Sequence, residues 1–339
     1  MAVRSEVYDF GDLLTTTLPD IGTDLADNIT TSTMLLDYLN RQGNVKPWTG
    51  GRGLQEGLEY AFNESFMFYN GYEFLNTSPN EIMTTALFPI KQASIAVSIS
   101  GLEQRMNRGK AAVIDLLETK INNARRSAKH YFAASVYSDG TGFNGKELLG
   151  LSALVSKTPN TGVVGGIDAS DATNAWWRNV AMNAATNARG PITKDNVQAY
   201  FNDMTLQLTR GNDGPNLIVV DNFIWSAYRA SLTEMQRIES KTGDGEAGAG
   251  FPKLVYYGPG GKMDVVLDGG RGGNMPAKTA YFLNTDYLRL REDPGRRWSV
   301  VGGDRMNTNQ DAITRLMLWA GGFTVTNRSM QGVLFDTTA

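Results

Sequence analysis

One histidine and no cysteine stand among 339 residues, and these two counts remove most nucleophilic and soft-metal chemistry at once. Without thiols there are no disulfides, no thiolate nucleophile and no Cys-ligated zinc or iron–sulfur site. A catalytic histidine needs a nucleophile and an orienting acid around it. His130 sits beside Tyr131 and Phe132 in a helical stretch and reads as a polar or partly buried helix residue. A metal centre would have to rest on carboxylates, and Asp139, Asp168, Asp171 and Asp304 supply candidates. Acids in Gly-rich turns are normally turn formers. The glycine runs Gly258-Pro259-Gly260-Gly261 and Gly269-Gly270-Arg271-Gly272-Gly273 lack the Lys-Ser/Thr ending and the strand-then-helix setting of a phosphate loop, so they read as loops. No catalytic, cofactor-binding or metal-binding residue is expected, and no cofactor.

Charge points the same way. The 32 basic and 35 acidic residues give a net charge of −3, with no basic tail. Tight nucleic-acid binding driven by counterion release shows a basic surplus. One basic cluster stands out: Arg105, Arg108 and Lys110 open a long helical stretch, and Arg125, Arg126 and Lys129 follow along it. It faces solvent, a polyanion, or acids on a neighbouring chain; basic groups at a helix start oppose the helix dipole, which an anionic partner would relieve. Charged residues make up 20%, below the usual value of about 25%. The surface is therefore rich in neutral groups, as in a subunit that buries several faces or in a β-rich monomer. No run reaches the ~18 apolar residues of a membrane span. Met1 to Glu6 lacks a signal-peptide core, so a soluble chain made in the cytosol is expected.

The elements behind these residues fall in a clear order. Residues 1–50 are an arm of weak local order, with Met34, Leu35, Leu36, Tyr38 and Leu39 as a short helix or apolar anchor and Trp48 in a Pro/Gly turn. Leu58, Tyr60 and Phe62 alternate with Gly57, Glu59 and Ala61, and Phe66, Phe68, Tyr69, Tyr72 and Phe74 extend the aromatic load. Asn76 to Asn80 forms a turn, and residues 87–99 return as a strand with Ile95, Val97 and Ile99 on one face. The pattern predicts a long hairpin with its tip near 76–82. An isolated hairpin is marginal in water, so this one needs something to lie on.

Over 108–137, Val113, Leu117, Ile121, Ala124, Ala128, Tyr131 and Ser135 repeat at helical spacing with no break from Lys110 to Asp139, giving a helix of roughly 40 Å. Two more helices follow, one capped by Thr193 and carrying Val197, Tyr200, Met204 and Leu208, the other starting after Asp221 with Trp225, Tyr228, Leu232 and Met235. Leu217 to Val220 is a short buried strand and 240–250 a flexible loop. The last ninety residues are mostly β, ending in a final pair of strands, Ile313–Trp319 and Gly322–Phe335.

Arm, aromatic hairpin, long helix, mixed region and return to β make an order that resembles the major capsid proteins of tailed bacteriophages, the Hong Kong 97-like fold. Local strings carry the resemblance too: Gly150-Leu151-Ser152-Ala153-Leu154-Val155, then Gly165-Gly166-Ile167-Asp168, then Trp176-Trp177-Arg178-Asn179. Pro215 to Val220, Tyr281 to Leu288, and Gln310-Asp311-Ala312 leading to Leu318-Trp319-Ala320-Gly321 are similar as well. The resemblance covers about residues 50–339.

It implies an α+β shell subunit: an N-terminal arm (1–51), an extended β-hairpin loop (52–104), a peripheral domain (105–215) with a spine helix (108–137), an axial domain (216–308) and return strands (309–339). It implies pentamers and hexamers of an icosahedral shell around double-stranded DNA, in a virion assembled in the host bacterial cytoplasm. Expected partners are many copies of the chain, a scaffolding protein and a portal, with a decoration protein left open and no membrane. The chain is too short for an N-terminal scaffolding segment of about a hundred residues ahead of its arm, so a separate scaffold is expected unless this is a mature form. Lys91 is the only lysine in the extended loop, and no acid is placed to activate it, so no Lys–Asn cross-link is expected.

Interface residues are expected at Trp48, Tyr60, Phe62, Phe66, Phe68, Tyr69, Tyr72, Phe74, Trp176, Trp177 and Arg178, with Arg125, Arg126 and Lys129 facing DNA or a neighbour. Adjacent Trp176 and Trp177 ask for apolar surface on more than one side. Two other readings stay open: an encapsulin-like nanocompartment shell, and a β-rich hydrolase or carbohydrate-binding protein of small oligomeric state.

Overall fold

A computed structural model describes residues 33–102, 110–232, 254–269, 274–300, 305–306 and 311–338. The expectations for residues 1–32, Arg105, Arg108, the loop 240–250, Met235 and Asp304 lie outside them.

The first helix, α1 (Met34–Arg41), buries Leu35, Leu36 and Leu39, one stripe of a 3.6-residue period. An Asp37–Arg41 pair at 2.9 Å lies on its outer side. Its N-terminal N–H groups, on Met34 and Leu35, are accepted by the carboxylate of Asp268, far along the chain. This stretch of the expected arm is thus part of the chain's own core. After it, β1 (Val45–Pro47) runs parallel to β12 (Leu288–Val300).

The hairpin is shorter than the sequence pattern predicts. β2 (Leu54–Glu59) pairs with β3 (Met83–Phe88), Leu54 facing Phe88 and Glu59 facing Met83. Pro89 stands between β3 and β4 (Lys91–Ser100). Pro lacks the N–H a ladder needs, and β4 leaves the hairpin to pair antiparallel with β14 (Ala312–Val325) over ten residues, Lys91↔Gly321 to Ser100↔Ala312. Ile95, Val97 and Ile99 therefore belong to a sheet, not to the loop.

The long helix is present as α2 (Lys110–Val136), 27 residues, about 40 Å at ~1.5 Å per residue. Ile121, Ala124, Ala128, Phe132 and Val136 are its buried stripe. Phe132 meets Trp319 at 4.8 Å and Trp298 at 5.9 Å, both edge-on. Tyr131, expected on that stripe, is 64% exposed; the stripe turns one residue to Phe132 to reach the two tryptophans. The helix is followed by Gly140 at φ +81°.

Two sheets organise the rest. In the first, β14 carries β4 on one edge and β12, then β13 (Arg305–Met306), on the other. The second has six strands in the order β7 (Val180–Asn183), β15 (Gly332–Phe335), β11 (Thr279–Leu283), β8 (Leu217–Val220), β10 (Gly261–Leu267), β9 (Leu254–Gly258). The expected final strand pair, Ile313–Trp319 with Gly322–Phe335, does not form. β14 is one long strand in the first sheet and β15 lies in the second, between β7 and β11. Their apolar runs look alike because both are buried.

Strands β8, β11 and β15 are buried on both faces. Ile218 and Val220 pack with α3 (Val197–Leu208) and α4 (Asn222–Leu232), while Leu217 and Val219 join the core that holds α1 and α2. Asp221 caps α4, accepting from the N–H of Ile224 at 3.0 Å. Helix α3 starts after Asn196 and not after Thr193; the Asn196 side chain reaches back to accept from the N–H of Thr193 at 2.7 Å. Among the described residues no helix is long and apolar enough to cross a membrane.

Candidate intersubunit surface

The foot of the hairpin is tied down on two sides. Leu54, Glu56 and Leu58 of β2 point inward, as period two requires. Glu56 is a buried charge, 5% exposed, between two arginines of β12: Arg291 Nη2 at 2.7 Å and Arg289 Nη1 at 3.3 Å. Its Oε1 also accepts from Thr324 Oγ1 of β14 at 2.9 Å. A buried carboxylate is tolerated when paired and hydrogen-bonded in this way. On the other side Tyr60 stacks on Trp176 at 5.4 Å, and Trp176 leans on Trp177 at 5.6 Å. Trp177 donates from Nε1 to the carbonyl of Val164 at 2.9 Å.

The string Gly165-Gly166 explains its own neighbourhood. β5 (Val163–Val164) and β6 (Ile167–Asp168) form a two-residue hairpin around the two glycines, at φ +64° and +78°. Two successive positive φ angles are what a type I′ turn needs. The carbonyl of Gly165 accepts from the N–H of Leu87 at 2.8 Å, so this turn is a shelf for β3.

Beyond the foot the chain runs from 60 to 82 without regular structure. Phe62 (95%), Phe66, Phe68, Tyr69, Tyr72 and Phe74 are all exposed. Ser65 N–H donates to Asn63 Oδ1, Asn70 N–H to Glu73 Oε2 and Ser78 N–H to Asn76 Oδ1, while Tyr60 N–H donates to the carbonyl of Ile82 across the base and the Asn80 and Asn63 side chains meet across the loop at 3.3 Å. Phe66 and Phe68 touch edge-on at 5.2 Å. An aromatic buries about 150–250 Å² when covered, so six of them far exceed the few hundred Å² of contiguous apolar patch usual on a monomer.

The other expected interface residues divide. Trp177 is 1% exposed, deep in the core, and is not an interface residue. One tryptophan of the pair fills the core and the other is half-buried under Tyr60. Arg178 is also spoken for internally: Nε donates to the carbonyl of Ala169 at 2.8 Å and Nη2 to that of Asp171 at 3.1 Å. Trp48 is half-buried, its N–H donating to the carbonyl of Glu292 at 2.7 Å. On α2, Arg126 and Lys129 are exposed and Arg125 is half-buried. Sequence reasoning missed the exposed Met83, Leu87, Tyr131 and Phe143. Phe143, at φ +52°, precedes Asn144 at +57° in a strained turn. Bulky residues rarely adopt that conformation, and no sequence rule flags it there.

The acids in turns do what turn acids do. Asp139 Oδ1 accepts from the N–H and hydroxyl of Thr141, Asp168 from those of Ser170, and Asp171 from the N–H of Thr173. These hydrogen bonds hold all three carboxyls below the usual carboxylate range. His130 is exposed on α2, edge-on to Tyr131.

No family model and no curated protein matches the sequence. Solved structures do match the fold. The chain from the cyanophage A-1(L) capsid asymmetric unit aligns at a TM-score of 0.58 and 16% identity, over 89% of this chain and 93% of that one. Chains from the capsid of a native GTA particle (12% identity, 91% and 91% covered) and of an empty one (12%, 91% and 97%) align at 0.51. Shared architecture over nine-tenths of each chain, with identity this low, gives the chain the fold of a phage capsid protein.

Proposed function

We propose that the chain is a major capsid protein that assembles with many copies of itself into the shell of a phage particle. The observation that carries this is the aromatic loop 60–82, held on a foot tied by ion pairs yet left uncovered by the described residues of its own chain. Such a surface is stable in water only when a partner buries it. The likeness to capsid chains supports a neighbouring subunit as that partner.

In this reading the Hong Kong 97-like parts take their usual places. Residues 1–51 form the arm, anchored on the core by α1; 52–104 form the extended loop, whose last strand, β4, ties it into the sheet with β14; and 105–215 form the peripheral domain with α2 as its spine. Residues 216–308 form the axial domain, where five- and six-fold contacts meet, and 309–339 return. The shell encloses double-stranded DNA without reading its sequence, and a net charge of −3 suits a container better than a tight binder. A scaffolding protein guides assembly, a portal occupies one vertex, and assembly takes place in the host bacterial cytoplasm. Overlapping loops let many modest contacts add up. Negative-stain electron microscopy of the expressed chain, with its scaffold supplied, tests this. Closed shells are expected; discrete monomers at every protein and salt concentration would overturn it.

A further inference from the structure

The loop and one face of the same molecule are complementary. From Gly53 to Ile90 the chain has five glutamates and no aspartate, lysine, arginine or histidine. Glu56 is used at the foot, which leaves Glu59, Glu64, Glu73 and Glu81 exposed among the aromatics. The loop is therefore apolar and wholly acidic.

A groove of about 540 Å³ opens between β4, α2 and the turn 142–148. Phe132, Trp298 and Trp319 line it from the core, and the exposed rings of Tyr131 and Phe143 stand at its rim. Lys91 and Lys146 line it too, against one acid, Glu147. Arg296 bonds Gln92 of the same lining at 3.4 Å. Trp298 is held at φ +51°, and its buried indole N–H has no acceptor among the described residues. What the groove offers a partner is therefore an uncovered apolar lining beside two lysines.

Resting on the shell reading, we propose that the acidic aromatic loop of one copy seats in this basic-rimmed groove of a neighbouring copy. The chain's own loop does not fill it, since Phe62 and Phe74 stay 95% and 97% exposed. Six covered aromatics remove roughly 900 Å² or more, above the ~800 Å² per partner of a specific interface. The contact is heterologous, one patch against a different patch, which is the kind that propagates into rings.

The absence of cysteine makes the test clean. Phe68→Cys places a thiol on the loop, and Ser94→Cys places one on an exposed groove-lining position. The two variants are mixed, assembled and oxidised, and disulfide-linked dimers are identified by peptide mapping. Expected is the mixed disulfide, joining the loop thiol of one variant to the groove thiol of the other, at about tenfold over either like pair. Particles that form without it overturn the proposal. So does capture of the groove thiol by Ser5→Cys in the N-terminal segment instead.

Particles from the unmodified chain test the shell reading separately. If these fail, that reading falls, and the groove contact falls with it unless the mixed disulfide forms in soluble oligomers. A second variant leaves Lys91 alone, because its Nζ donates to the carbonyl of Gly145. Lys146→Glu with Arg296→Glu should cut assembly about tenfold by like-charge contact with the loop, and Glu64→Lys with Glu73→Lys should restore it. Unchanged yield in the reversed groove overturns the role of the basic rim.

Discussion

The carboxylate of Glu56 lies 2.7 Å from Nη2 of Arg291, 235 residues along the chain, and this pair fixes where the aromatic loop leaves the body. Arg289 and Thr324 complete the carboxylate's partners. Removing the acid leaves two arginines beside each other and a threonine hydroxyl unpaired. Glu56→Ala is expected to lower stability by about 3 kcal/mol, read as a lower urea midpoint with an unchanged slope. A loss below about 0.5 kcal/mol would mean that the foot is held by Leu54, Leu58 and Phe88 alone.

The paired tryptophans and the loop aromatics should separate stability from assembly. Trp177 is fully buried, so Trp177→Ala should cost about 3–5 kcal/mol. A triple Phe62→Ser, Phe68→Ser, Phe74→Ser variant removes side chains that touch little in their own chain and should leave monomer stability within about 0.5 kcal/mol. The same variant should abolish particle formation. Sedimentation and urea denaturation on the same samples check both halves. A triple variant that unfolds easily would show that the rings support the fold.

What could be read in advance follows from how local each cause is. The 27-residue α2, the buried strand β8 and the helix capped by Asp221 announce themselves by periodicity and a neighbouring cap. The aromatic excursion is legible because so many rings in so short a stretch need cover. The end of the hairpin is not, because the choice of β4 between β2 and β14 is made by sheet pairing over 200 residues away. Pro89 is the one local hint. Trp177 against Trp176 is undecidable by type, since two identical residues divide between core and surface only once the backbone turn through Asp171 is set. The cap of α1 by Asp268 is likewise invisible, an acid supplied from far along the chain.

The two glycines of the Val163–Asp168 hairpin should differ. A Cβ on Gly165 would sit 3.0 Å from the Cβ of Ala86 and 3.1 Å from the ring of Phe88, whereas Gly166 has open space. Both are at positive φ, so both alanines carry backbone strain of about 1 kcal/mol. Gly165→Ala adds a clash with β3, for a total of about 2–3 kcal/mol. Equal urea midpoints for the two variants would show that the shelf under β3 yields freely.

Glu292 gives a pH dependence of definite sign. Burial pushes its carboxyl above the usual range, and the Trp319 indole N–H at 2.8 Å and the Arg297 guanidinium at 3.0 Å only partly offset this. The folded chain therefore holds a proton at a pH where the unfolded chain has released it. That contribution is fully present below the ordinary carboxylate value, about pH 4, and is lost as pH rises through the raised value. Glu292→Gln keeps an oxygen for Trp319 and cannot titrate. The stability of the wild-type chain relative to this variant should fall as pH is raised from about 4 towards neutrality, and level off once the folded carboxyl is ionised. The check is the urea midpoint of both chains at each pH. Parallel curves would mean that Arg297, 37% exposed, follows the carboxylate closely enough to hold it ionised throughout.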